Sequence, residues 1–145
     1  MGKPARSELL GAWRLTSAYA ILEGSEERRE LYGSSPKGHV VFDPSGRMIA
    51  ILMSGGRGSA GTDTDRTGLF ESMMSYSGNF TVDDEKFVTK VDAAWHPSWE
   101  GTEQVRYYSL SGDTLCVRTP PNEHPAFPGR KFVGHLCWVR HGEGL

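Results

Sequence analysis

The most chemically loaded stretch of this 145-residue chain is an arginine set in an alternating run. Gln104, Arg106, Tyr108 and Leu110 share one parity; Glu103, Val105, Tyr107 and Ser109 share the other. On a strand, one of the two sets must face inward. An arginine on an inner face is costly unless something pairs with it. Three arrangements satisfy that condition. Arg106 forms an ion pair with an internal carboxylate such as Asp92, or it receives the anion of a ligand bidentately, or its set faces solvent.

His96 and Trp99 lie in a Pro-containing connection just before this run. A histidine there titrates in the range that general acid–base work requires. No Ser or Cys nucleophile motif accompanies it, and the chain has no G-x-S-x-G elbow. The bland reading makes His96 a turn residue and Trp99 a plug for one end of the fold. The chemical reading makes His96 and Arg106 weak catalytic candidates. His39, His124, His135 and His141 are scattered, with neither H-x-H nor H-E-x-x-H spacing, so no metal is expected.

Ser54 to Gly68 carries Gly55, Gly56, Gly58 and Gly61. It lacks the G-K-[ST] ending of a phosphate loop and does not match G-x-G-x-x-G, which argues against nucleotide binding. A mobile lid is the expectation for it. Cys116 and Cys137 form no C-x-x-C pair, so structural zinc is not expected. A reducing compartment would leave both as free thiols.

These residues need a scaffold, and composition bounds it. Hydrophobic residues make up 37% and charged residues 23%, which suits a sheet wet on one face better than a two-sided α/β core. Eighteen glycines and eight prolines imply many tight turns between short elements. A net charge of -2 argues against nucleic acid or an anionic membrane as partner. No apolar run approaches the ~20 residues that span a bilayer. Met1 to Glu8 is polar, with no apolar signal core behind it, so a cytoplasmic location is expected.

Period-2 alternation recurs along the chain. Strands are expected over Leu9 to Leu22, Gly38 to Phe42, Arg47 to Met53, Tyr76 to Val82, Lys86 to Trp95, Thr102 to Leu110, Thr114 to Thr119 and Arg130 to Arg140. In the first of these, Gly11, Trp13, Leu15, Ser17, Tyr19 and Ile21 share a face. Asp43-Pro44-Ser45-Gly46 is a turn, because Pro presets φ and Gly accepts positive φ. Leu69, Phe70, Met73 and Met74 fall on one face of a short helix over Thr67 to Ser75, with Thr67 as its cap. Eight or nine short strands in sequential hairpins close most economically into a barrel, which leaves no exposed edge. Eight strands enclose space for packed side chains or for one small ligand.

Several motifs carry a family resemblance. They are Leu10-Gly11-Ala12-Trp13-Arg14-Leu15; Gly38-His39-Val40-Val41-Phe42-Asp43-Pro44-Ser45-Gly46-Arg47-Met48; Tyr76-Ser77-Gly78-Asn79-Phe80; and His96 to Arg106. Leu115 to Pro121 and Trp138-Val139-Arg140 continue the series. Together they resemble the bacterial and fungal lipocalin-like domain family, across about residues 9–140. The resemblance implies a small calycin-type barrel around an apolar or amphipathic pocket. It implies that Trp13 packs under Arg140 to close one barrel end, and that Gln104 and Arg106 face in. The sequence departs from secreted lipocalins in having no obvious helix after its last strand.

The expectation is therefore one all-β domain over residues 1–145. Its fold would be a single antiparallel up-and-down lipocalin-like barrel of about eight to ten strands with one short helix. Its leading function is binding of a small hydrophobic or amphipathic molecule inside the barrel. Gln104, Arg106 and Tyr108 would face that ligand, with Tyr76, Phe80, Met48, Leu52, Trp95 and Trp99 as apolar and aromatic lining. No cofactor is expected. The rival reading is a cofactor-free isomerase or cyclase acting on a polyketide- or terpenoid-like substrate in the same pocket. The third is a filled barrel serving as a scaffold or a homodimer module.

Overall fold

The computed structural model describes residues 6–123 and 129–142. A single helical turn, α1 (Arg6–Leu9), leads into β1 (Gly11–Leu22). The strands that follow are β2 (Arg28–Glu30), β3 (Lys37–Phe42), β4 (Arg47–Met53), β5 (Met73–Val82) and β6 (Lys86–Ala94). After the short 3-10 turn Pro97–Trp99 come β7 (Glu103–Ser111), β8 (Thr114–Arg118), β9 (Asn122–Glu123) and β10 (Lys131–Arg140). Strands β1, β3, β4, β5, β6, β7, β8 and β10 pair antiparallel in that order, and β10 returns to β1 from Trp13↔Arg140 to Leu22↔Phe132. The result is a closed eight-stranded barrel, as the alternation and the family resemblance imply.

Two short strands lie outside the closed ring. β2 falls in a charged connection, and its three residues are all exposed. It has no apolar alternation to announce it, and backbone pairing to Tyr19, Ala20 and Ile21 holds it. β9 pairs with the start of β10.

The first strand does not keep one parity. Trp13 and Leu15 face in, but the register slips between Leu15 and Ser17, and beyond it Ala18, Ala20 and Leu22 are the buried residues. Tyr19 and Ile21, expected on the inner face, lie on the other. A β-bulge inserts one residue, which exchanges the two faces and bends the strand. A second irregularity on the β5–β6 pair lies between Ser77 and Gly78, whose partners are Ala93 and Val91. It leaves Asp92 unpaired and exposed. Gly78 is required at this point, because a Cβ there would collide with the Lys90 carbonyl. The β3–β4 turn forms as expected: Gly46 sits at φ 95° and its N–H donates to Asp43 O at 2.9 Å.

The helix forms earlier than its apolar spacing suggests. α2 covers Asp63–Glu71 and is capped by Thr62, not Thr67. Thr62 accepts from the Asp65 N–H, while the Asp65 carboxylate accepts from the Thr62 N–H, a reciprocal box that fixes the start. Met73 and Met74 belong to β5, where pairing with Met53 and Leu52 on β4 captures them. The glycine-rich stretch is therefore a loop followed by a helix. Arg57 ties the two together, donating to Leu69 O at 2.7 Å and to Ser72 Oγ at 3.1 Å.

The expectation of free thiols is also corrected: Cys116 and Cys137 form a disulfide. The β8–β10 register sets them directly opposite one another, with Cα atoms 4.1 Å apart, on the outer face of the barrel. Their separation of 21 residues in sequence carried no sign of that pairing. No helix among the described residues is long and apolar enough to cross a membrane.

Candidate functional site

The barrel has two unlike ends. At one end, which we call the base, α1 and the starts of β1 and β8 meet the finish of β10. Trp13 is fully buried there and its Nε1 donates to Leu9 O at 2.9 Å. The Arg140 guanidinium lies 4.1 Å from the centre of the Trp13 ring. It donates to Leu10 O at 2.9 Å and to Glu8 O at 2.8 Å, which seals α1 against the barrel. Phe42 packs edge-to-face on Phe80 and Phe87 just above, with Met48 buried beside them. The Tyr108 hydroxyl donates to Asp83 O at 2.7 Å at this end, so it is bound to the β5–β6 turn. The same turn holds the Asp83 carboxyl down to about 2, through N–H groups of Glu85 and Lys86 and the Lys86 ammonium.

The opposite end, the mouth, is covered by side chains from three connections. Leu31 and Tyr32 fold in from the β2–β3 connection and pack on the core. Trp99, from the 3-10 turn, lies 5.2 Å from the Tyr76 ring and 5.1 Å from the Trp95 ring. Phe70 of α2 lies over Trp95 and His96 at 6.2 and 5.6 Å. Leu52 is buried below this cover. His96 caps the 3-10 turn, its Nδ1 2.9 Å from Ser98 Oγ and 3.2 Å from the Ser98 N–H. That ring nitrogen is held by the turn, which is the structural role the sequence allowed for it.

Below the cover lies a cluster of polar groups. The β6–β7 register places Gln104 opposite Thr89 and Arg106 opposite Phe87. Thr89 and Phe87 are buried, and directly opposed residues share a face, so Gln104 and Arg106 face in. Among the described residues of the mouth half, Arg106 is the one charged side chain on an inward-facing strand position. Its guanidinium donates to Val105 O at 2.8 Å and to Gln104 Oε1 at 3.4 Å, both neutral acceptors. Gln104 Nε2 donates in turn to Thr102 Oγ1 at 2.9 Å. The suggested ion pair with Asp92 does not form. The bulge turns Asp92 outward, where Arg47 takes it with two hydrogen bonds. No carboxylate among the described residues pairs with Arg106.

Two more groups complete the cluster. Thr89 is 0% exposed and its Oγ1 has no hydrogen-bond partner among the described residues. The indole Nε1 of Trp95 is also buried without a partner among the described residues, but Trp95 belongs to the cover: its backbone N–H donates to Ser75 O on the outward parity, and its ring packs on Phe70 and Trp99. The Tyr32 hydroxyl is pushed up to about 12, chiefly by burial; the Arg106 charge pulls it down and Tyr76 pushes it further up. It therefore stays protonated across the neutral range. Sequence reading missed Thr89 and Tyr32. Thr89 reads as one polar position in an alternating strand, and Tyr32 lies in a connection with no periodicity.

Open depressions of about 360 and about 330 Å³ lie at the mouth rim and along the outside of β1. The first is lined by Leu22, Phe132, Arg118 and Lys131, the second by Tyr19, Arg28 and Glu30. Neither lining includes a residue of the interior polar cluster. Of the scattered histidines, His39 and His141 stack on the outer surface with ring nitrogens 3.0 Å apart, and His135 stacks on Tyr19. His124 lies outside the described residues.

Comparison with known proteins agrees with this architecture. A family model for the lipocalin-like domain matches residues 10–141. The 4'-hydroxy-3'-methoxypropiophenone carrier protein ppsC of Aspergillus oryzae is 30% identical over 88 residues. The matched region covers 54% of this chain and 77% of the relative. The closed barrel, the Trp13–Arg140 base and the match over nearly the whole chain lead to one conclusion: this chain belongs to the lipocalin-like domain family.

Proposed function

We propose that the protein binds a small amphipathic molecule inside the mouth half of the barrel, with Arg106 and Gln104 as its polar anchor. The observation that carries this reading is the inward Arg106 guanidinium with only neutral acceptors. A cation drawn into a protein interior costs stability unless a counter-charge compensates it. A ligand oxygen between Arg106 and Gln104 would supply that compensation. Around it, Tyr76, Trp99 and Leu52, with Trp95 behind Trp99, offer the apolar and aromatic surface that small-molecule sites use, with few polar groups to fix orientation. Entry requires displacement of Tyr32 and Trp99, which come from connections and not from the barrel wall. A carrier role fits the relative, whose name records an aryl ketone as cargo.

The test is native mass spectrometry of gently purified protein, together with thermal-shift screening. The screen would include fatty acids, terpenoids and aryl ketones, 4'-hydroxy-3'-methoxypropiophenone among them. A retained mass or a clear upward shift, lost in Arg106→Met, is the expected result. A folded protein that retains nothing and responds to no class would overturn the reading in favour of a filled barrel.

A further inference from the structure

Resting on that reading, we infer that the buried end of the ligand is an oxyanion on a planar aromatic ring, held jointly by Arg106 and Thr89. Thr89 becomes a ligand-binding residue on this assignment.

The argument starts from what the cluster can give and accept. Arg106 has donors only, and the cluster holds no carboxylate among the described residues. The protonated Tyr32 hydroxyl has a proton to donate. The Thr89 hydroxyl can donate or accept, and it has no partner among the described residues. Gln104 has its amide nitrogen on Thr102 and its oxygen facing the guanidinium. The unspent hydrogen-bonding capacity is thus mostly donor capacity beside a positive charge. An acceptor oxygen satisfies it, and a charged oxygen satisfies it best, because charge-assisted hydrogen bonds are roughly twice as strong as neutral ones.

Thr89 is the telling residue. A buried hydroxyl without a partner costs stability, and valine fills the same volume without that cost. The threonine methyl and the hydroxyl lie on one inward position, directly across from Gln104 and one inward position from Phe87, which faces Arg106. A ligand oxygen at the guanidinium is therefore within the reach of both strands. The walls favour a flat ring: Tyr76 and Trp99 meet at 5.2 Å, and Trp95 stands edge-on to Trp99. Aromatic side chains also stack on aromatic ligands in offset or edge geometry.

The experiment titrates four probes calorimetrically between about pH 6 and about pH 9.5. Two can carry an oxyanion: 4-hydroxyacetophenone, whose phenol is acidified by its para carbonyl, and cinnamate. Two are their neutral counterparts, 4-methoxyacetophenone and cinnamamide. At least one anion should bind about tenfold or more tightly than its counterpart. A preference for 4-hydroxyacetophenone that grows with pH assigns a phenolate; a pH-flat preference for cinnamate assigns a carboxylate. Thr89→Val should reduce the preference several-fold while melting at or above the wild-type temperature. Loss of affinity with unchanged or higher stability separates recognition from a structural role. Equal binding of anions and neutral counterparts, or unchanged preference in Thr89→Val, would overturn the oxyanion assignment. So would failure of all four probes when another class binds in the screen, and in either case the barrel-binding reading stands. Failure of the probes and of the whole screen would overturn both.

Discussion

The base and the mouth of this barrel are built from the same eight strands and solve the burial of polar groups in opposite ways. At the base, Trp13 Nε1, the Arg140 guanidinium and the Tyr108 hydroxyl all donate to backbone carbonyls. In the mouth half, Thr89 Oγ1 and Trp95 Nε1 have no partner among the described residues, and Arg106 has no counter-charge. Each end holds one inward arginine. Arg140 covers an indole and binds carbonyls of the N-terminal turn, a complete and closed arrangement. Arg106 has only neutral acceptors. Unsatisfied groups are rare in folded interiors, and their concentration at one end is the ground for proposing a binding site there.

The largest expected effect lies at the base. Trp13→Ala removes a fully buried indole, its hydrogen bond and its contact with Arg140. Urea denaturation should show a loss of about 3–5 kcal/mol. A loss below about 1 kcal/mol would break the claim that the base holds the barrel shut.

The disulfide comes next. Cys116→Ser opens a bridge spanning 21 residues of sequence, and loop-closure entropy puts its contribution at about 3 kcal/mol. Ligand affinity should stay unchanged, because the bridge lies on the outer face. Intact-mass analysis should find no alkylation of the wild-type protein until a reductant is added; ready alkylation would remove the bridge from the account.

A smaller effect sharpens the mouth. The Tyr32 hydroxyl is held up at about 12 against its ordinary 10, so folding favours the neutral form. Its contribution is present in full below pH 10 and is lost as pH rises towards 12. Tyr32→Phe should flatten that alkaline decline in a melting series across this range. An unaltered decline would mean that Tyr32 is not enclosed.

The smallest lies on the β5–β6 turn near the base. Asp83 is depressed from 3.8 to about 2, so the stability it adds is present above about pH 4 and fades as pH falls towards 2. The carboxylate is exposed and solvent screens it, so the change should be slight. Asp83→Asn should nonetheless melt with a weaker dependence on pH over this interval.

Much of the barrel was legible in the sequence because period-2 alternation is a strong signal where one face is buried. The strand run from Gln104 to Leu110 displayed two faces, and the family resemblance, not the alternation, pointed Gln104 and Arg106 inward, as the β6–β7 register has them. Other features depended on information that alternation does not hold. The bulge in β1 exchanged the faces of Tyr19 and Ala18, since one inserted residue inverts every position beyond it. Asp92 could be named as a partner for Arg106 only while β6 was imagined as regular; the irregularity sends it to Arg47. The disulfide is a property of register between distant strands. In the candidate site, Arg106 and Gln104 stood out once the resemblance put them on the inner face, where charge is rare. Thr89 did not, because threonine suits either face of a strand and only its missing partner makes it notable.

The central claim is that the mouth half, and not the base, receives a ligand. The most direct measurement is an NMR titration of isotope-labelled protein with 4'-hydroxy-3'-methoxypropiophenone, or with the best compound from the screen. It would follow the Arg106 and Arg140 Nε–H, the Gln104 amide and the Trp13 and Trp95 indole N–H signals. The account predicts that the Arg106, Gln104 and Trp95 signals shift and saturate together while those of Trp13 and Arg140 stay in place. Shifts confined to the base, or to the outer-face depression around Tyr19 and Arg28, would contradict it.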